Sequence, residues 1–227
     1  MTPALPFEIR SQHCWLSPER CLFWEEEKAL VLSDLHFGKT GHFRKAGIPV
    51  PANVYREDLF RLFEQVGYFK PETIIFTGDL FHSYENLEHE LFSKWRSSIP
   101  VKEIHLVRGN HDLLPRRAYA DLDLILHENI YAKGPFLFVH DLQTIPDGHE
   151  GSYRISGHIH PGVRISGRGK QSLSFPCYYF SKDFAILPAF SKFTGFVTLE
   201  KGSDDKVFAI LPGDPARGVA SSLLEIR

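Results

Sequence analysis

Seven side chains that can hold a metal ion stand at the ends of apolar runs. Asp34 and His36 follow Ala29-Leu30-Val31-Leu32, and Asp79 follows Thr73-Ile74-Ile75-Phe76-Thr77-Gly78. Asn110 follows Glu103–Gly109 and is itself followed by His111 and Asp112. His140 closes Phe136-Leu137-Phe138-Val139, and His158 and His160 follow Tyr153-Arg154-Ile155-Ser156-Gly157. A carboxylate and an imidazole two residues apart share a side if the extended conformation persists, so Asp34 and His36 make a plausible ligand pair. Each group alone is compatible with a hydrogen-bonded strand end. Three polar groups on one turn, 110–112, need something polar to hold them, because unpartnered polar side chains are costly to bury. Glycines before three of the groups allow the sharp turns by which neighbouring side chains converge.

The elements that must position these groups read as strands and helices in alternation. Buried strands over 29–32, 73–77 and 103–108 are separated by helices over 53–69 and about 84–98. The first carries Val54, Leu59, Leu62, Phe63 and Val66 at helical spacing, with Asn53 as a possible N-cap. The second has Leu87, Leu91, Phe92 and Trp95 on its apolar face. That order predicts parallel pairing with helical crossovers, in which sites form beyond the carboxyl ends of the strands. Few segments after 122 look helical, and short strands to about 211 predict a second, mainly antiparallel sheet. The tail from about 212 is expected to be irregular. The spread of site candidates from 34 to 160 argues for one domain over the 227 residues.

Composition excludes several classes. The formal charge of −2 gives no support to a strongly basic nucleic-acid binder, although bound metals would reverse the sign locally. Three cysteines, Cys14, Cys21 and Cys177, are too few for a disulfide framework and read as reduced core thiols of a cytoplasmic protein. No basic-then-apolar leader and no run approaching the roughly 20 apolar residues of a membrane span is seen. The Gly- and Pro-rich segment 37–51 reads as a loop. Its Lys39, Arg44 and Lys45, with His42 and Phe43 between them, suit a phosphate backbone and a stacked base, or else a solvated loop anchored by one Phe. Arg116, Arg117, Arg164, Arg168 and Lys170 could extend a phosphate-binding rim or be ordinary surface charge.

In this order, Asp-x-His, Gly-Asp, Gly-Asn-His-Asp, a lone His and Gly-His-x-His resemble the calcineurin-like metallophosphoesterase superfamily. The resemblance implies a two-sheet α/β sandwich flanked by helices. It implies one metal on Asp34, His36, Asp79 and His160, and another on Asp79, Asn110, His140 and His158, with Asp79 bridging. Oxygen and imidazole ligands without thiolate suit Mn, Fe, Zn or Co. Two such ions can clamp a phosphate and activate a bridging hydroxide for in-line attack. His111 is then the expected general acid, with Asp112 orienting its imidazole.

Nearly the whole chain is similar to one bacterial subfamily, the ligase-associated DNA damage response endonucleases. The likeness rests on Asp34–Lys39, Phe43–Pro51, Gly78–Ser83, Val107–Asp112, Gly157–Pro161 and Leu187–Gly195. It implies a manganese-favouring phosphodiesterase or endonuclease acting on DNA, with a DNA ligase and a helicase as partners in repair. The chain departs from many superfamily members at Phe81-His82 and at Asp141-Leu142. A phosphatase or nucleotide pyrophosphohydrolase on small substrates is the enzymatic alternative, and a non-catalytic scaffold the other.

Overall fold

The structure, a computed structural model, describes residues 3–37, 54–82, 86–143, 148–149, 151–167 and 171–227. Lys39, Arg44 and Lys45, with the rest of the expected 38–51 loop, Asn53, Arg168 and Lys170, lie outside the described residues. The side chains of Val54 and Leu87 do as well.

The first sheet runs β1 (Leu5–Ile9), β2 (Gln12–Leu16), β3 (Leu22–Trp24), β4 (Ala29–Leu32), β5 (Thr73–Phe76), β6 (Glu103–Val107) and β7 (Ile125–His127), in that spatial order. β1 to β4 pair antiparallel, whereas β4 to β7 pair parallel. The crossovers are α1 (Val54–Phe69), α2 (Asn86–Ser98) and a short α3 (Arg116–Asp121). In β4, Leu30 and Leu32 face a core that includes Leu62, Phe92 and Trp95 of the helices, while Ala29 and Val31 face the second sheet. Both faces are therefore buried, which explains the continuous apolar run. On α1, Leu59, Leu62 and Val66 are buried, but Phe63 is 46% exposed, as is Phe60 at 63%. The expected apolar face is thus narrower than the spacing suggested.

The second sheet contains β8 (Ile130–Lys133), β9 (Phe136–Val139), β10 (Tyr153–Ser156), β11 (Pro161–Ser166), β12 (Ser172–Phe180), β13 (Phe184–Ile186), β14 (Val197–Thr198), β15 (Lys206–Leu211) and β16 (Ser222–Ile226). Most of its described pairings are antiparallel, as expected, but not all: β10 pairs parallel with both β9 and β13, and β11 with β14. Nor is the tail irregular throughout. β16 pairs antiparallel with β15, and Leu223 and Ile226 pack against apolar clusters on the two sides of that ribbon. The Gly and Pro residues of 212–218 make only the turn before it.

Between the sheets, Phe136, Phe138, Tyr153, Ile155, Tyr178 and Phe180 pack against Val31, Ile75 and Val107. Each such side chain, once buried, contributes roughly 1.5–3 kcal/mol. Cys14, Cys21 and Cys177 are buried free thiols in these cores, as expected. Burial pushes each up to about 12, so they are inert thiols. Among the described residues, no helix is long and apolar enough to cross a membrane.

Candidate metal centre

The parallel strands of both sheets end at one place. β4, β5 and β6 deliver Asp34, His36, Asp79 and Asn110, and β9 and β10 deliver His140, His158 and His160. The loops after β4 and β5 are zipped together by backbone bonds from Asp34 N to Gly78 O (3.1 Å), His36 N to Asp79 O (2.9 Å) and Phe37 N to Leu80 O (2.8 Å). A third segment joins them: Phe190 N donates to Ser33 O and Ser191 N to Asp34 O.

The extended conformation does not persist past β4. Asp34, His36, Asp79, His158 and His160 all hold positive φ, between 47° and 64°. Such backbone costs L residues energy and persists only where the surroundings over-determine it. Asp34 and His36, both left-handed, still converge, with His36 Nε2 3.9 Å from Asp34 Oδ1, whereas His158 and His160 reach two different sets of donors. Glycine makes room for them. A β-carbon on Gly157 would overlap Ser33 Oγ and Asp34 Oδ2, one on Gly109 would overlap Asp79, and one on Gly78 would overlap the His140 ring.

Two groups of donor atoms result: Asp34 with His36 and His160, and Asp79 with His140 and His158. In the first, His36 Nε2 lies 3.3 Å from His160 Nε2, which is 3.2 Å from Asp34 Oδ1. In the second, His140 Nε2 lies 3.5 Å from Asp79 Oδ2, 3.1 Å from His158 Nδ1 and 3.0 Å from Asn110 Oδ1. His36 Nε2 is 4.0 Å from Asp79 Oδ2, so Asp79 stands between the groups.

This donor set fits metal ions on its own chemistry. Asp34 Oδ2 accepts the His158 N–H, while buried Oδ1 accepts no hydrogen bond from the described residues. His140 Nδ1 donates to Thr77 O at 2.9 Å, which turns the Nε2 lone pair toward Asp79. Burial alone would lower the His140 pKa, but the hydrogen bond and charge of Asp79 raise it to about 9. Burial opposes ionisation of Asp79, yet His140 and the His111 N–H pull it down to about 2. The pocket thus stabilises positive charge at His140 Nε2, and a divalent ion is the stronger alternative to a proton.

His111 lies beside both groups without joining either. Its N–H donates to Asp79 Oδ1 at 2.9 Å. Its ring centroid is 5.4 Å from that of His36 and 4.4 Å from that of His82. His82, beside His36 and His111, is not marked by the motif spacing; in the sequence its position stands out only as a departure from the superfamily. Its placement comes from tertiary pairing, as Phe37 and Phe81 form a parallel bridge and His82 N donates to Phe37 O.

Asp112 does something other than expected. It is fully buried, and its carboxylate accepts the N–H groups of Gly109 (2.9 Å), Phe81 (3.0 Å) and Leu80 (3.4 Å). It ties the turn of 109–112 to the loop after Asp79 rather than backing the His111 ring. Burial pushes its carboxyl up to about 6 against those three donors. Of the expected basic rim, Arg116 pairs with Glu128 at 2.8 Å and Arg164 is exposed.

Comparison with curated protein sequences finds no match. Among solved structures, the chain is similar to the Pseudomonas putida nuclease MPE, with 26% identity and a TM-score of 0.76 over 91% of this chain and 96% of that one. It is also similar to the Aquifex aeolicus protein AQ665, at 15% identity and a TM-score of 0.41 over 63% of this chain and 82% of that one. A third likeness is to Yfce, a phosphoesterase from E. coli, at 12% identity and a TM-score of 0.40 over 79% and 86%. The sequence matches the calcineurin-like phosphoesterase family over residues 28–208, a span that runs from the edge of β4 into β15 and takes in every donor of both groups, and the protein belongs to that family.

Proposed function

We propose that this metal-dependent phosphoesterase is a phosphodiesterase that cuts DNA as an endonuclease, with two divalent ions, manganese favoured. The observation that carries the reading is the pair of donor groups sharing Asp79, with the His111 imidazole beside them. In the proposed assignment Asp34, His36, Asp79 and His160 hold one ion, and Asp79, Asn110, His140 and His158 the other. Bound there, such ions supply Lewis-acid stabilisation of the phosphate and lower the pKa of water.

The chain's own residues do the rest. Asp79 reaches toward both groups, so one carboxylate sets their separation. Thr77 O holds the His140 tautomer. His111, whose backbone is fixed on Asp79 Oδ1, protonates the leaving alkoxide. Asp112 keeps the 109–112 turn in register with the loop after β5, which is a positioning role.

The likeness to the P. putida nuclease over nine-tenths of the chain supports a nucleic-acid substrate. A role in repair, with a DNA ligase and a helicase as functional partners, and a cytoplasmic setting belong to the same reading. Lys39, Arg44 and Lys45 are its proposed backbone-phosphate contacts.

The test is a substrate panel on metal-reconstituted protein, with metal content measured on the same sample. Single- and double-stranded DNA, a bis-aryl phosphodiester, an aryl phosphomonoester and a nucleoside diphosphate sugar are compared. Manganese-dependent cleavage of DNA that vanishes in Asp79→Asn is expected. Activity confined to the small substrates would overturn the DNA assignment.

A further inference from the structure

A cavity of about 590 Å³, in the size range of small-molecule sites, opens where the β2–β3 turn meets α1, β12 and the turn before β16. None of the donors of the metal centre lines it. Tyr68, Phe175 and Ile210 give it apolar walls, Arg20 and Lys192 bring positive charge, and Glu19 brings one negative charge. Arg20 sits on a tight turn, with its N–H bonded to Ser17 O at 3.0 Å and its φ at 70°. A left-handed arginine is a strained choice, which the local fold maintains.

The charges around Arg20 do not balance. Arg61 pairs with Asp58 at 2.7 Å, and Glu19 lies 3.5 Å from Lys192 and 3.8 Å from Arg61. Those two carboxylates serve two cations. Arg20 forms no ion pair with a carboxylate among the described residues. Its Nη1 donates to Ala189 O (3.2 Å) and Ser191 O (2.9 Å), which are neutral acceptors. Burial and the neighbouring Arg61 disfavour its charge and outweigh the opposing pull of Asp58, Tyr178 and Glu19, bringing its pKa to about 10. A half-buried guanidinium with no directly paired carboxylate among the described residues, on the wall of a cavity with aromatic sides, suits an anion that arrives from solution.

We propose that this cavity is a second binding site, for a small organic anion whose phosphate or carboxylate group pairs with Arg20 while a planar or apolar body lies against Tyr68 and Phe175. The site is separate from the metal centre and independent of what that centre cleaves.

Calorimetric titration of the full chain with phenylphosphonate and with benzoate tests it. Saturable binding of at least one probe is expected, and the tighter probe identifies the anionic group. Binding should weaken about tenfold or more in Arg20→Gln. Because Arg20 also holds the 189–191 backbone, Ala220→Trp serves as a second variant; it obstructs the exposed rim and leaves Arg20 in place. It should weaken binding to a similar degree, whereas Asp79→Asn should leave it unchanged. Absence of saturable binding at millimolar concentration would overturn the proposal. So would binding retained in both cavity variants, or binding that is lost with Asp79→Asn.

Discussion

Gly109 packs directly on Asp79: a β-carbon at 109 would overlap both the Oδ1 and the backbone N of the carboxylate that stands between the two donor groups. The contact is why glycine precedes Asn110, although the φ of Gly109 is not in the left-handed range. Gly109→Ala is therefore expected to displace Asp79 rather than to strain the turn alone. Overpacking of this kind costs about 1–3 kcal/mol. The larger effect should fall on metal. Gly109→Ala is expected to lose most of its bound metal while circular dichroism stays native-like, and full metal occupancy in that variant would show that Asp79 can move aside harmlessly.

Asp112 separates a structural role from a catalytic one. Its two oxygens serve three backbone donors, so in Asp112→Asn the amide NH2 must confront at least one N–H. Leaving a buried donor unsatisfied costs about 1–3 kcal/mol. The expected result is a lower melting temperature and loss on all substrates alike. A variant of native stability that fails only on substrates with poor leaving groups would restore Asp112 to a place behind His111.

His111→Ala is expected to slow esters with alkoxide leaving groups by about 10²–10⁴-fold and aryl esters far less, since general-acid assistance matters most where the leaving group is basic. Metal content should stay near that of the wild type. His82→Ala removes the ring packed at a tilt against His111 and is expected to reproduce part of that selective loss, on the order of tenfold, through poorer positioning. His82→Phe keeps a ring in place and should recover most of it. Equal losses on both classes of ester would argue against His111 as the acid.

The strand ends were legible in the sequence because each joins a continuous apolar run to a polar group. That is the pattern of a buried strand whose side chains can be polar only where the sheet stops. The convergence of Asp34, His36, Asp79, Asn110, His140, His158 and His160 on one place follows from it. What Asp112 bonds was not legible, because a carboxylate beside an imidazole in sequence can equally reach N–H groups some 30 residues earlier. The His82–His111 ring contact was hidden for the same reason. The three-residue strand β7 and the six-residue α3 are too short for periodicity to register. β16 was masked by the Gly- and Pro-containing turn just before it. Parallel pairing of β9, β10 and β13 carries no local signal either, since pairing partners far apart in sequence decide it.

His105 and His127 predict an acid-side loss of stability that has nothing to do with the metal donors. They lie on β6 and β7 of the first sheet, with His105 Nδ1 3.0 Å from His127 Nε2. Tyr131 of β8, in the second sheet, stacks on both at 4.3 and 4.4 Å. The trio therefore joins the two sheets at their edges. Burial lowers the pKa of His105 against the opposing pull of Glu103, 3.3 Å away, with Lys133 lowering it further. Burial, then His105 itself, lowers that of His127. With both folded values below the ordinary histidine value near 6.5, folding favours the neutral rings. Their contribution is present above that pH and is lost as pH falls through it toward the folded values. Protonating both would also place two cations across a hydrogen bond that needs one lone pair. Urea denaturation at pH 8, 7, 6 and 5 should show a steeper acid-side decline for the wild type than for the double variant His105→Phe/His127→Phe, which keeps aromatic rings and removes the titration. The metal donors are the same in both proteins, so only the difference between the two curves reports on this stack, and coincident slopes would remove it as a source of pH dependence.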